Sequence, residues 1–306
     1  MASGRWTTPA ADRGSRGTRL RTRLRTRLGE QGLRAWCRAA VAAAAVILWA
    51  LPAQAAAPEA CAKPVYLTFD TGHMAVAPLI ADVLARHQVK VTFFAAHEAT
   101  QVGDGSLGEH WAPWWKARAA EGHEFASHTH DHVYWRADLP GDPPRFRVRA
   151  SAGPRTGVTE TWTATQYCAE IDKAAARLAQ VTGKKPLPLF RAPGGKTSPA
   201  FLAATRACGH AHVGWSPAGF LGDELSSETH PNDLLLKQAL RDVRSGDILV
   251  AHLGIWSRKD PWAPAVLEPL VTGLKARGFC FRTLRDHPQY RDWIAARSGP
   301  RAETTR

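Results

Sequence analysis

The run His128-Thr129-His130-Asp131-His132 follows directly on the strand-like stretch His123-Glu124-Phe125-Ala126-Ser127. Histidines at i and i+4 just past a strand end can turn two imidazoles toward one point. Such a pair suits a divalent cation with an open coordination position. Clustered histidines also occur on solvated loops, so the residues around them decide between the two readings. Asp70, Arg191, Ser216 and His252 each stand at the end of another strand-like run. A carboxylate and an imidazole near a cation are the parts of a general acid/base hydrolysis.

These residues can meet only if the chain folds so as to gather strand ends. Strands are expected at Val65–Phe69, Val89–Ala95, Glu124–Ser127, Leu187–Phe190, His212–Trp215, Asp247–Ala251 and Phe279–Leu284, several of them nearly continuous apolar runs of the kind found in parallel sheets covered on both faces. Amphipathic helices are expected between them at Val76–His87, Glu109–Ala120, Thr163–Thr182, Pro199–Ala207, Asn232–Arg244 and Pro264–Arg277. Strands alternating with helices indicate a parallel α/β fold, either a closed barrel or a doubly wound sheet. In both, the C-terminal strand ends share one rim, where ligands bind. Asp70, His128, Arg191, Ser216 and His252 would then be neighbours. One insertion, 138–162, breaks the rhythm: it is rich in Pro and Gly and holds the alternating Arg145-Phe146-Arg147-Val148-Arg149, and it reads as a surface hairpin or lid.

The ends of the chain are of another kind. Residues 1–38 carry ten arginines against Asp12 and Glu30, the apolar run Ala39–Ala53 follows, and Ala53-Gln54-Ala55 is a small-residue cleavage signal. This is the order of a secretory signal peptide, expected over 1–55. The apolar run is short of the roughly 20 residues that span a bilayer, so no stable membrane insertion is expected after cleavage. The chain is +13 overall, of which the leader supplies +8. The remaining +5 removes the main support for a nucleic-acid partner. Residues 56–290 are expected to form one domain and 291–306 a polar tail. Cys61, Cys168, Cys208 and Cys280 follow the leader, and without a C-x-x-C they favour two disulfides in an exported protein, secreted or periplasmic and bacterial.

Four blocks resemble a known family. Thr68-Phe69-Asp70-Thr71-Gly72 is similar to Thr-Phe-Asp-Asp-Gly, and Gly122-His123-Glu124 through His128-Thr129-His130-Asp131-His132 is similar to Gly-His-Glu-x-x-x-His-Ser/Thr-x-x-His. Phe190-Arg191-Ala192-Pro193-Gly194-Gly195 and Gly246–His252 resemble its Arg-x-Pro-x-Gly and terminal Leu-x-His blocks. The family is that of the polysaccharide deacetylases with a NodB-homology domain, carbohydrate esterase family four, and the likeness runs from about Lys63 to Leu284. It implies a single-domain, irregular seven-stranded (β/α) barrel that removes N-acetyl groups from an amino-sugar polymer such as peptidoglycan, chitin or poly-N-acetylglucosamine. It implies a divalent metal, Zn2+, held by His128 and His132. Asp70 would be the base, Arg191 the residue that orients it, and His252 the acid.

Two departures qualify this. Thr71 stands where the family has its third metal ligand, and a neutral hydroxyl is a poor zinc ligand; the third ligand is left open among Asp70, Thr71, His73 and water, as is metal-free catalysis. Ala218 stands where an aspartate that tunes the acid histidine is expected, and Asp223 from a longer loop is the candidate replacement. Pro193, Gly194, Trp215, Trp256 and Asp223 are the expected substrate-binding residues, with Trp135 and Trp162 also facing the rim, whereas Trp111, Trp114 and Trp115 follow a helical spacing and belong to the core. Barrel closure would pair Cys61 with Cys280, and helices flanking the fourth strand would pair Cys168 with Cys208. A non-catalytic glycan-binding protein on the same fold and an amidase for a small non-sugar substrate are the alternatives. The oligomeric state is not legible.

Overall fold

The computed structural model describes residues 61–298. The expected leader and the residues beyond 298 lie outside the described residues. β1 (Pro64–Asp70) is buried along nearly its whole length, which its run Val65-Tyr66-Leu67-Thr68-Phe69 permits because both faces meet apolar neighbours. The other parallel strands are β2 (Thr92–Ala95), β3 (Glu124–Ser127), β7 (Leu189–Phe190), β8 (Ala211–His212), β9 (Ile248–His252) and β10 (Cys280–Phe281). They form one seven-stranded sheet in the order β10-β1-β2-β3-β7-β8, with β9 also paired to β1. The segment after β8 runs beside β9: Val250 N–H donates to Gly219 O and Leu221 N–H to Val250 O. The expected parallel α/β architecture, of the irregular barrel kind, is the one observed.

Helices α1 (Ala77–Arg86), α2 (Ala112–Ala120), α3 (Ala164–Thr182), α4 (Pro199–Ala207), α5 (Asn232–Asp242) and α6 (Leu267–Ala276) lie between the strands. Their boundaries follow local chemistry. Thr163 and Gln166 form a reciprocal capping box at the start of α3, and Gly183, at φ 69°, ends it in the left-handed conformation that glycine adopts without penalty. Ser198 caps α4 ahead of Pro199. Trp111 and Trp115 are buried and Trp114 packs beside them in the main core, as their spacing predicts.

Three expectations differ from the structure. The insertion is a three-stranded antiparallel sheet, β4 (Val133–Leu139), β5 (Arg145–Ala150) and β6 (Thr159–Thr163), which begins ahead of 138. Phe146, Val148 and Ala150 point into a core with Tyr167, Phe190 and Phe201, while Arg145, Arg147 and Arg149 face solvent. Alternation of this kind marks a sheet packed on one face. Trp135 and Trp162 pack against that same core, which removes them from the rim. Finally, 291–298 is helix α7 (Arg291–Ser298) and not the start of a polar tail: Ile294 is buried and Trp293 donates its indole N–H to Pro188 O at 2.9 Å.

Both expected disulfides are present, with Cα separations of 5.8 Å for Cys61–Cys280 and 6.3 Å for Cys168–Cys208. Cys280 sits next to β1 because Pro64 and Cys280 are register partners. Among the described residues no helix is long and apolar enough to cross a membrane. The bridge between α3 and the end of α4 should stabilise chiefly by constraining the unfolded chain. Replacing Cys168 and Cys208 together by alanine is expected to lower the unfolding free energy by about 2–5 kcal/mol, read by denaturant titration, and thiol titration of the unfolded, unreduced domain should find no free cysteine.

Candidate active site

Strand register assembles the rim. Asp70 is the register partner of His252 on β9 and of Phe94 on β2. Ser127 is paired with Phe190, so His128 and Arg191 leave their strands at one level; His128 N–H donates to Ala95 O and Arg191 N–H to Ser127 O. Parallel pairing thereby brings residues from four strand ends together without any long side-chain reach. Ser216 is not among them. Its N–H donates to Ile248 O and its hydroxyl accepts from Ile248 N–H, at the opposite end of β9, because the chain turns back after Trp215.

Arg191 is fully buried and holds Asp70: Nη1 donates to Oδ1 at 2.6 Å. The remaining guanidinium donors go to Val213 O at 3.1 Å and Gly214 O at 3.3 Å, and the cation lies 4.2 Å from the centre of the Phe94 ring. Each guanidinium nitrogen of this buried cation thus makes one hydrogen bond, and an aromatic face covers it, which offsets its desolvation. Asp70 Oδ2 is left facing His128 Nε2 at 3.6 Å. One carboxylate oxygen is fixed and the other is free to take a proton.

The two imidazoles are set by their outer partners. His128 Nδ1 lies 2.9 Å from Arg191 O, a carbonyl that can only accept, so the proton is on Nδ1 and the lone pair on Nε2. His132 Nδ1 lies 2.5 Å from the Ser151 hydroxyl, which in turn donates to His132 O. The ring centroids are 4.8 Å apart. Burial, aided by the charge of His132, holds His128 well below the usual histidine range, so its imidazole is neutral and its Nε2 lone pair is open. The loop reaches this geometry with Thr129 at φ 60° and His132 at φ 48°, a conformation costly for residues with a Cβ. Thr129 Oγ1 accepts from Val133 N–H, and Asp131 N–H donates to Glu170 Oε2, which anchors the loop to β4 and α3.

Glu98, three residues beyond β2, brings Oε1 to 3.9 Å from His132 Nε2, and its Oε2 is buried with no hydrogen-bond partner. A buried carboxylate oxygen without a donor is an unmet electrostatic demand. Imidazoles with open Nε2 atoms and a carboxylate oxygen are the donor types a divalent cation takes, although the ligand atoms of His128, His132 and Glu98 do not all lie within 4.8 Å of one another, so an ion bound there would have to draw them closer. Thr71 is turned elsewhere: its Oγ1 accepts from Ala96 N–H at 3.0 Å. His73 lines a neighbouring cavity of about 440 Å³, with Nδ1 accepting from Ala75 N–H. A second group, His130, Asp131 and Glu170, also brings ligand atoms within 4.8 Å and could hold a metal. There Lys173 approaches both carboxylates, at 3.4 and 3.7 Å, and supplies positive charge already.

His252 sits between two carboxylates. Asp223 accepts from its backbone N–H at 2.6 Å and lies 3.1 Å from Nδ1; Glu224 Oε1 lies 2.8 Å from Nε2. Burial alone would lower the pKa of this imidazole, but the Asp223 charge and the two carboxylate hydrogen bonds outweigh it and hold it well above the usual range. His252 is therefore charged and able to give up a proton.

Asp70, His128, His132, Tyr134, Gly194, Trp215, Phe220, Glu224, Val250 and His252 line one cavity of about 430 Å³. Of the residues expected to touch substrate, Gly194 and Trp215 are on this wall. Gly194 has φ 69°, and a Cβ there would lie 2.9 Å from the Tyr134 ring, so glycine is required. Pro193 is buried and is not on this wall. Trp256 is 64% exposed and stands edge-on to His73 outside this cavity. Asp223 is buried against His252 and belongs under the histidine, not on this wall. Sequence reasoning passed over Glu98, Tyr134 and Glu224. Glu98 had a signal, since it follows a strand end as the other site residues do.

A family model described as polysaccharide deacetylase matches residues 57–213. A chitooligosaccharide deacetylase of Sinorhizobium fredii is 29% identical, covering 73% of this chain and 91% of its own. A peptidoglycan-N-acetylglucosamine deacetylase of Bacillus cereus is 24% identical over 75% of this chain and 90% of its own. Among solved structures, the esterase family four domain of a multidomain xylanase from the hindgut metagenome of Trinervitermes trinervoides superposes with a TM-score of 0.54 at 17% identity, covering 75% of this chain and 91% of that one. The chain belongs to the polysaccharide deacetylase family, hydrolases of carbon–nitrogen bonds.

Proposed function

We propose that this protein is an exported enzyme that removes N-acetyl groups from an amino-sugar polymer of the peptidoglycan, chitin or poly-N-acetylglucosamine class. The observation that carries the reading is that Asp70, His128, His132 and His252 line a single cavity. Simple binding of a sugar needs no carboxylate and charged imidazole side by side at the ends of paired strands in one cavity. An acetamide resists hydrolysis because its carbonyl is a poor electrophile and its amine a poor leaving group. A divalent cation on His128 and His132 would polarise that carbonyl and acidify the attacking water. Asp70 Oδ2 takes the proton of the attacking water while Arg191 keeps Oδ1 in place. His252 Nε2 delivers a proton to the departing amine. Glu224 leaves Nε2 for this to happen, which its half-exposed position makes cheap. The Trp215 ring offers a flat face for a sugar. Products are acetate and the free amino sugar.

Export is supported by the leader pattern and by two disulfides, which persist in oxidising compartments. A second reading, a glycan-binding protein without catalysis, draws on Thr71 alone.

Acetate release from chito-oligosaccharides and from peptidoglycan, measured with added zinc and with a chelator, tests the proposal. Release that needs zinc is expected; binding without release would select the second reading. The imidazole offers another check. Activity requires protonated His252 and falls as pH rises through its pKa. Asp223→Asn removes the charge that raises that pKa, so the basic limb of the pH–rate profile should move to lower pH while the acidic limb stays. An unmoved basic limb would exclude Asp223 from that role.

A further inference from the structure

We propose that Glu98 supplies the third protein ligand of the cation held by His128 and His132, taking over from the aspartate whose place Thr71 occupies. The proposal rests on the metal clause of the deacetylase reading but on nothing about the substrate.

Three observations point to Glu98. The first is its carboxylate, with one oxygen 3.9 Å from His132 Nε2 and the other buried without a donor. A cation between Glu98 and the histidines would satisfy both at once. The second is the Thr71 hydroxyl, which is engaged by Ala96 N–H. That bond draws Thr71 toward the loop after β2 and gives it a different task, holding the loop that carries Glu98.

The third is how firmly this loop is set. Glu98 N–H donates to Ser106 Oγ at 2.8 Å, Ser106 N–H returns to Glu98 O at 2.9 Å, and Ser106 Oγ donates to Ala96 O at 2.6 Å. His97 N–H donates to His130 O at 2.7 Å, tying the Glu98 loop directly to the histidine loop. These bonds fix the Glu98 backbone, and so the point from which its otherwise unpartnered carboxylate reaches toward the histidines. The charge also balances. Replacing aspartate by threonine removes one negative charge from the site, and Glu98 restores it from the neighbouring strand end. Two histidines and one glutamate form a donor set that zinc accepts while keeping a position open. Asp70, with Oδ1 bound to Arg191, is then free to act as the base and need not double as a ligand.

The test is zinc titration of the chelator-stripped protein by calorimetry, with His132→Gln and Glu98→Gln beside the wild type. One zinc per wild-type chain is expected, and Glu98→Gln should weaken binding by about 100-fold or more, approaching the loss in His132→Gln. The metal-free melting temperature of Glu98→Gln should be no lower than that of the wild type, because a negative charge with a buried, unpartnered oxygen is removed, and the rise in melting temperature on adding zinc should be lost. Glu98→Gln binding zinc within about threefold of the wild type, while His132→Gln does not, would overturn the assignment. So would a folded wild-type chain that takes up no zinc, even if it released acetate. Zinc uptake that depends on Glu98 without acetate release would uphold the ligand and sink the deacetylase reading instead.

Discussion

The buried pair between Asp70 and Arg191 is the constraint on which the site depends. A guanidinium with no exposure needs partners, and here each of its nitrogens finds one, at the end of β1 or directly after β8. Removing one member of such a pair costs about 3–5 kcal/mol because the other charge stays buried. The strand ends therefore have to remain in register. The same bond leaves Asp70 with one oxygen fixed and one free, a division of labour that a solvated carboxylate would not have. Arg191 adds a further constraint: its backbone carbonyl orients His128. A single residue thus positions both the proposed base and one proposed ligand.

The histidine loop shows the opposite economy. Its two left-handed residues are unfavourable by themselves, and Thr129 Oγ1, Ser151 and the Asp131–Glu170–Lys173 group hold them in place. That neighbouring acidic group, although it could itself accept a metal, has a structural use that accounts for its composition. At the adjoining strand end, His252 lies between Asp223 and Glu224. Burial makes one imidazole neutral and carboxylates make the other charged, within one cavity. Environment, not residue type, divides the roles.

Much of the fold was legible in the sequence because parallel strands advertise themselves as apolar runs, and the helices between them carry caps such as Ser198-Pro199 and Gly183. The disulfide pairs follow from adjacency, of strands for Cys61–Cys280 and of the helices flanking the fourth strand for Cys168–Cys208. The residues that converge were legible for the same reason: Asp70, His128, Arg191 and His252 are strand-end residues, and register does the rest. What escaped depended on tertiary contact. The sequence shows the insertion only as a surface hairpin or lid: the alternation at Arg145–Arg149 marks one strand, while its Pro/Gly-rich stretch hides how β4 and β6 flank it. Trp135 and Trp162 look alike in sequence whether they face a sugar or Phe201 and Tyr167. Ser216 was misjudged because strand length does not reveal that the chain doubles back after Trp215. Glu98 and Glu224 carry no motif, and a lone acid in a loop is ordinarily a solvated one.

The central claim is that Asp70, fixed by Arg191, is the base and not a ligand. The rate of acetate release by zinc-loaded Asp70→Asn, with its zinc affinity measured alongside, tests this directly. A fall of about 10²–10⁴-fold with zinc affinity retained is predicted. A rate within tenfold of the wild type would contradict it, as would loss of activity that follows from loss of zinc.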